Sequence, residues 1–412
     1  MNQVERRAVD QAGPIADDLT DQAFNFDPFD PAFFEDPFSS YEVMRRDHPV
    51  YQRATPNHQV WPHYWMLSRA ADVDAALKDW RRFSSAKGTL IDVDISLIPP
   101  NMFNMDPPRH DELRAVIARV LTPKRVADLA PEITRSAREI LGKWVADGRL
   151  DVATDYAQLI PTLTMCTLME LPISDRERFL QWNMDTLAGG DFTGPVALNA
   201  YREMGEYWQD IVAERRAQKG TDLISQILHH DKAGVELSNE EIAGFCSLLH
   251  DASQNTTMNM IANAAVALGR HPDQRRKLIA DPSLWPTAIE ELMRFVSPVQ
   301  GLARATTCDV TLHDVTIPAG DQVLILYGSA NHDETVFEHP EKLDFDRPRV
   351  KTHWAFGQGI HTCVGAAVAR LESRVALEVL LEAIPDFGVE ETGLIRNQLV
   401  PTRGIAHAPI VF

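Results

Sequence analysis

The segment that most restricts how this chain folds covers residues 237–272 and reads as one unbroken helix. Ser238 followed by Glu241 is a capping-box pattern, in which hydroxyl and carboxylate each accept from an orphan backbone N–H. Pro272 closes the run, because proline cannot continue a helix that needs its N–H. The result is about 30 residues of helix, far beyond the usual length of roughly 11–12, and apolar around most of its girth. Such a helix has no side to give to water, so it must cross the middle of the protein.

Other elements gather around it. Leu129, Ile133, Ala137, Ile140, Leu141 and Trp144 recur at helical spacing, as do Tyr201, Met204, Trp208, Ile211 and Val212, which predicts two amphipathic helices. Another is expected over 286–295, ending before Ser297-Pro298. Alternating runs at 310–312 and 322–327, interrupted by Pro318-Ala319-Gly320, predict a small sheet. Residues 1–30 are polar and rich in Asp and Pro, which suggests an arm lying over the surface. No repeat, low-complexity tract or Gly/Ser linker divides the rest. The expectation is a mainly α fold with a minor β portion, as a single domain over 31–412.

Composition removes several function classes. With 59 carboxylates against 40 Lys and Arg the formal charge is -19, which argues against nucleic acid or an anionic membrane as the main partner. The 44% hydrophobic content is ordinary for a globular chain and leaves ample material for a core. Cys166, Cys246, Cys308 and Cys363 are scattered and form no C-x-x-C pair, so neither a zinc site nor a disulfide framework is suggested. A reducing cytoplasm fits best. No stretch approaches the roughly 20 apolar residues of a membrane span, and the N-terminus lacks a signal-peptide core.

Residues 356–365 read FGQGIHTCVG, three glycines in ten residues around one Cys, with a helix expected over 364–384. Glycines let the backbone turn tightly and approach a ligand closely. Cys363 then sits at a helix N-terminus, where N–H groups and the dipole favour a thiolate and tune what it gives a metal. A lone Cys in such a turn is more often structural, but the whole motif reverses that reading. It resembles the haem-binding signature of the cytochrome P450 family, Phe-x-x-Gly-x-His-x-Cys-x-Gly, filled here by Phe356, Gly359, His361, Cys363 and Gly365. The resemblance implies a long central helix over haem b (iron protoporphyrin IX), Cys363 as metal ligand, Phe356 beside the sulfur, and His361 on a haem propionate.

The resemblance extends in order from about Phe33 to the C-terminus. Glu291 and Arg294 share a helical face and, with Arg347 in DFDRP, match the family's structural charge network. His110 and Arg114, one turn apart after Pro107-Pro108, match propionate ligands, as does Arg304. Taken singly, each is more readily read as a surface charge, but jointly, in the family's order along almost the whole chain, they are not.

The central helix departs from the family pattern. Where many members carry an acid before Thr-Thr, this chain has Ala252-Ser253-Gln254-Asn255-Thr256-Thr257. Thr256 matches the alcohol that guides protons toward oxygen, but Asn255 replaces the acid and cannot titrate. Positioned proton transfer is typically worth about 10²–10⁴ in rate. Either Asn255 orients water by hydrogen bonds alone, or Asp251, one turn earlier, supplies the proton. Asp251 is also placed to bind a substrate hydroxyl or amine, or simply to face solvent or a cation.

By resemblance the substrate pocket takes Ile98, Leu248, Leu249, Ala252, Val299, Leu302 and Ile405, mostly apolar, which suggests a small hydrophobic substrate. No flavin or nicotinamide fingerprint is present, so electrons are expected from a ferredoxin and its reductase, docking on Arg114, Arg119, Lys124 and Arg125. The expected reaction is insertion of one oxygen atom from O2, by hydroxylation or oxidative dealkylation. The rivals are a peroxide-driven peroxygenase and a non-catalytic haem sensor.

Overall fold

In a computed structural model the central helix spans Asn239–Arg270, 32 residues, and its capping box is formed: Glu241 N–H donates to the Ser238 hydroxyl, and Ser238 N–H to the Glu241 carboxylate. The structure describes residues 24–54, 61–91, 93, 95–97, 101–186, 194–218, 220–229, 237–348, 350–400 and 402–412. Every residue from Thr257 to Leu268 is buried, as expected of a helix apolar on all sides. It packs against the helices Leu159–Met169, Pro195–Ala217, Trp285–Val296 and Ala366–Ala383, and against the strand Thr402–His407. One large apolar cluster runs through these elements, from Met102 to Ile410.

The β portion lies to the side. A five-stranded sheet has the order Val50–Ala54, His63–Leu67, Gln322–Ile325, Leu302–Thr306, Phe83–Ser84, with only the second and third strands parallel. A hairpin of Ile395–Leu399 and Thr402–His407 approaches the central helix.

The runs at 310–312 and 322–327 do not share a sheet. Val310–Leu312 folds back onto Val315–Ile317 as a separate hairpin, because His313 and Asp314 both adopt positive φ, 49° and 64°, the geometry of a tight two-residue turn. The second run stops at Ile325, and Tyr327 opens the short helix Tyr327–Ala330. Of the expected arm, 1–23 lie outside the described residues. Phe26 is inserted instead of lying over the surface: it is buried, with ring centroids 5.2 Å from Phe33 and 5.9 Å from Tyr41. No helix among the described residues is long and apolar enough to cross a membrane.

Candidate active site

The glycine-rich loop is set by its backbone. Gly357 and Gly359 hold φ of +65° and +74°, and a Cβ on Gly359 would collide with the Leu77 carbonyl oxygen. Glycine is therefore required there twice over, for conformation and for space. Cys363 N–H donates to the Phe356 carbonyl at 2.9 Å, closing the loop. Gly365 is the N-cap of the Ala366–Ala383 helix, so Cys363 lies at that helix's start. A Cβ on Gly365 would sit 3.9 Å from the sulfur, in ordinary contact with it.

Cys363 keeps accessible area, yet enough protein surrounds its sulfur for burial to raise the thiol's pKa. A residue both accessible and interior belongs to the wall of an internal space. Against burial stand the N–H groups of Gly365 and Ala366 and the charges of Arg114 and Arg370, all favouring the thiolate.

Around the loop the fold collects cationic donors. His110 and Arg114 stand on the helix Arg109–Val120, which begins directly after Pro108. The rings of His110 and His361 are 4.3 Å apart, and Arg114 Nη2 donates to the Thr362 carbonyl at 2.7 Å. Burial, then Arg304, His110 and Arg114, push His361 down to about 3. Its Nε2 is buried without a hydrogen-bond partner. An anion in this cluster would satisfy the orphan atom and relieve the repulsion.

On the central helix, Ala252 and Thr256 retain accessible area while Gln254, Asn255 and Thr257 are buried. Thr256 Oγ1 donates to the Ala252 carbonyl at 2.7 Å, a back-bond that competes with the helix's own ladder. Asn255 Oδ1 accepts from Asn259 Nδ2 at 2.9 Å, so Asn255 is tied along the helix. Asp251 is half-buried and 3.1 Å from His250 Nδ1, and its charge adds to burial in raising the Tyr201 phenol.

Comparison with known proteins bears on this arrangement. The family model described as Cytochrome P450 matches residues 283–388. The chain is 36% identical to vitamin D(3) 25-hydroxylase of Pseudonocardia autotrophica, over 93% of this chain and 96% of that protein. It is also 36% identical to cytochrome P450 130 of Mycobacterium tuberculosis, over 87% and 91%. The chain belongs to the cytochrome P450 family. Among solved structures, the Bacillus subtilis bacillaene polyketide synthase P450 PksS superposes with a TM-score of 0.87 at 30% identity, over 94% of this chain and 99% of that one.

As a cytochrome P450 the protein is a monooxygenase whose cofactor is haem. The residues present fit that group. Among the described residues no cluster of three or more His, Cys, Asp or Glu can hold a metal ion, so the side chains alone do not build a metal cage. One Cys at a helix start, beside two arginines and two imidazoles, suits an iron carried in a macrocycle with two carboxylates.

The P450 charge network is explicit. Glu291 and Arg294 are wholly buried; Arg294 Nε and Nη2 donate to the carboxylate at 2.7 and 2.8 Å, and Arg347 Nε joins at 2.9 Å. Of the pocket residues named from sequence, Leu248, Leu249, Val299 and Leu302 are half-buried and Ala252 is exposed. Ile405 is fully buried and offers no surface of its own, because its strand packs on the central helix. Ile98 lies outside the described residues.

Sequence reasoning passed over Glu372, nine residues beyond Cys363 on the following helix. It is buried, and burial pushes its carboxyl up to about 8, only partly offset by hydrogen bonds from Thr164 and Thr257. The folded protein therefore holds this proton between its ordinary pKa of 4.5 and about 8, whereas the unfolded chain releases it. Stability attributable to Glu372 falls as pH rises through that window, by up to about 1.4 kcal/mol per pH unit. Glu372→Gln is expected to match wild type near the lower end and exceed it near the upper. Urea midpoints at about pH 5 and about pH 8 check this; a difference that does not change with pH would rule it out.

Proposed function

We propose that Cys363 ligates the haem iron, that His110, Arg114, Arg304 and His361 bind its propionates, and that the enzyme oxygenates a small, largely hydrophobic molecule with electrons from a ferredoxin and its reductase. The observation carrying this reading is the placement of Cys363 at a helix start, beside a cluster of arginines and imidazoles in which His361 Nε2 is unpartnered. Haem with a thiolate ligand supplies the redox chemistry and favours O–O cleavage. The chain binds, orients and supplies protons.

Thr256 gives its hydroxyl hydrogen to the Ala252 carbonyl, which leaves its oxygen lone pairs to accept from water or substrate. Asn255 has no proton to give, and its oxygen is engaged by Asn259. Asp251, half-buried and next to Ala252 in sequence, is the ionisable group we assign to proton supply. Leu248, Leu249, Ala252, Val299 and Leu302 supply apolar surface for the substrate. By its name, the vitamin D(3) 25-hydroxylase relative hydroxylates vitamin D(3), in keeping with that surface. The cluster from Met102 to Ile410, and two further clusters that pack residues between Phe33 and Ile91 against residues between Ala303 and Trp354, support treating 31–412 as one haem domain.

For the electron donor we assign the face around Arg119, Lys124 and Arg125, with Arg114 behind it. Its charge is moderated, since Lys124 pairs with Asp128 at 2.6 Å and Arg125 donates to the Thr221 carbonyl. Titrating the ferric protein with a panel of apolar compounds, then supplying surrogate ferredoxin and reductase, tests the proposal. Spin-state shifts with compounds that gain one oxygen atom are expected. No shift with any apolar compound, or products formed only with peroxide, would refute it.

Proton supply is tested by coupling, the product formed per NADH oxidised. Thr256→Ala and Asp251→Asn are each expected to lower it, and to slow product formation by a factor within the roughly 10²–10⁴-fold range of positioned proton transfer. Unchanged coupling in Asp251→Asn would remove Asp251 from the route.

A further inference from the structure

Seven residues beyond Cys363, Arg370 lies over the face of Phe356, its guanidinium carbon 4.3 Å from the ring centroid. Phe356 is the residue whose carbonyl accepts from Cys363 N–H. Arg370 does not swing freely. Its Nε and Nη2 donate to the two oxygens of Glu290 at 2.6 and 2.9 Å, and His353 Nε2 is 3.0 Å from the same carboxylate. Burial alone would raise Glu290, but the bonds from His353 and Arg370 overcome it and hold the carboxyl down at about 2. Glu290 is thus a fixed anion, gripping a planar cation against an aromatic face.

We propose that the Glu290–Arg370 pair is a positioning device for Cys363: it pins Phe356 against the cysteine loop and holds a positive charge near the sulfur, setting how strongly that sulfur donates to iron. This rests on Cys363 as the iron ligand. Arg114, the other cation acting on the sulfur, is anchored to the Thr362 carbonyl, so both cations that act on the sulfur are held in place. Glu290 is next to Glu291 in sequence but belongs to a different network, since Glu291 pairs with Arg294 and Arg347.

The sign follows from electrostatics. A cation beside the ligand stabilises the state with one more electron, so its loss makes the iron harder to reduce. In the haem-loaded protein, Arg370→Gln is expected to shift the one-electron reduction equilibrium about tenfold toward the ferric form, a fall of about 59 mV. Glu290→Gln, which removes the counter-anion, is expected to shift it the opposite way. Arg370→Lys keeps the charge but loses the planar guanidinium and the two-pronged bond, and is expected to shift it less than Arg370→Gln. Equal potentials in wild type and Arg370→Gln, shifts of the same sign in the Gln variants, or equal shifts in Arg370→Gln and Arg370→Lys would overturn the proposal. If Arg370→Gln fails to load haem, the opposite-sign requirement on Glu290→Gln decides alone. Carbonyl spectra of the reduced variants report thiolate ligation separately, so a failed ligand assignment is distinguishable from a failed role for Arg370.

Discussion

Cys363→Ala is expected to eliminate oxygenation. The loop should survive the change, because its closing hydrogen bond runs from the Cys363 backbone N–H to the Phe356 carbonyl and does not involve the sulfur. His110, Arg114, Arg304 and His361, the proposed propionate ligands, also remain. What disappears is the sulfur proposed to hold the iron. Loss of an outer partner in a metal site typically costs roughly 10–100-fold, and loss of the ligand itself is expected to exceed that by a wide margin. Product formation with surrogate ferredoxin, together with the carbonyl spectrum of the reduced protein, checks the result. A variant that kept turnover, or kept a thiolate-type spectrum, would show that the iron is held elsewhere.

The second large effect concerns stability. Arg294→Met removes the cation at the centre of the Glu291 network. Arg294 also donates to the carbonyls of Asn331, Pro340 and Lys342 at 2.9, 2.9 and 3.1 Å, so the change orphans acceptors as well as a charge. Glu291 keeps Arg347 and the Asp344 N–H, but it has lost its two-pronged partner in a buried place. Breaking a buried pair by removing one member costs about 3–5 kcal/mol, a large part of a typical domain's roughly 5–15 kcal/mol. Denaturant unfolding is expected to show a loss of that size, with poor haem retention. The link to haem is structural: Asn331 Oδ1 accepts from Trp354 N–H at 2.6 Å, at the entrance of the cysteine loop. A change below about 1 kcal/mol would mean that the network does not hold this region together.

What could be read from sequence is what local chemistry dictates. Ser238, Glu241 and Pro272 bound the central helix by backbone hydrogen bonding within a few residues, and the loop glycines answer to conformations and clashes close at hand. The fate of 310–312 depended on positive φ at His313 and Asp314, residues without the Asn-Gly signature of a tight turn, so its separation from 322–325 was hidden. No local pattern singles out Glu372 on its helix. Only its packing against Thr164 and Thr257, residues more than a hundred positions away, makes it a buried acid. Arg370 and Glu290 were overlooked for the same reason: 80 residues separate them, and a stack on Phe356 leaves no spacing rule in the chain. Asn255 was legible as a departure from the family pattern, but its attachment to Asn259 was not.

That attachment continues along the helix. Asn263 Nδ2 donates to the Arg403 carbonyl at 2.9 Å, and a Cβ on Gly404 would come within 2.9 Å of Asn259 Oδ1. Arg403 N–H in turn donates to the Pro298 carbonyl. The C-terminal hairpin is thus riveted to the middle of the molecule on two sides and has no slack to retreat when a bulkier guest arrives. Accommodation of different guests must come from elements other than this hairpin.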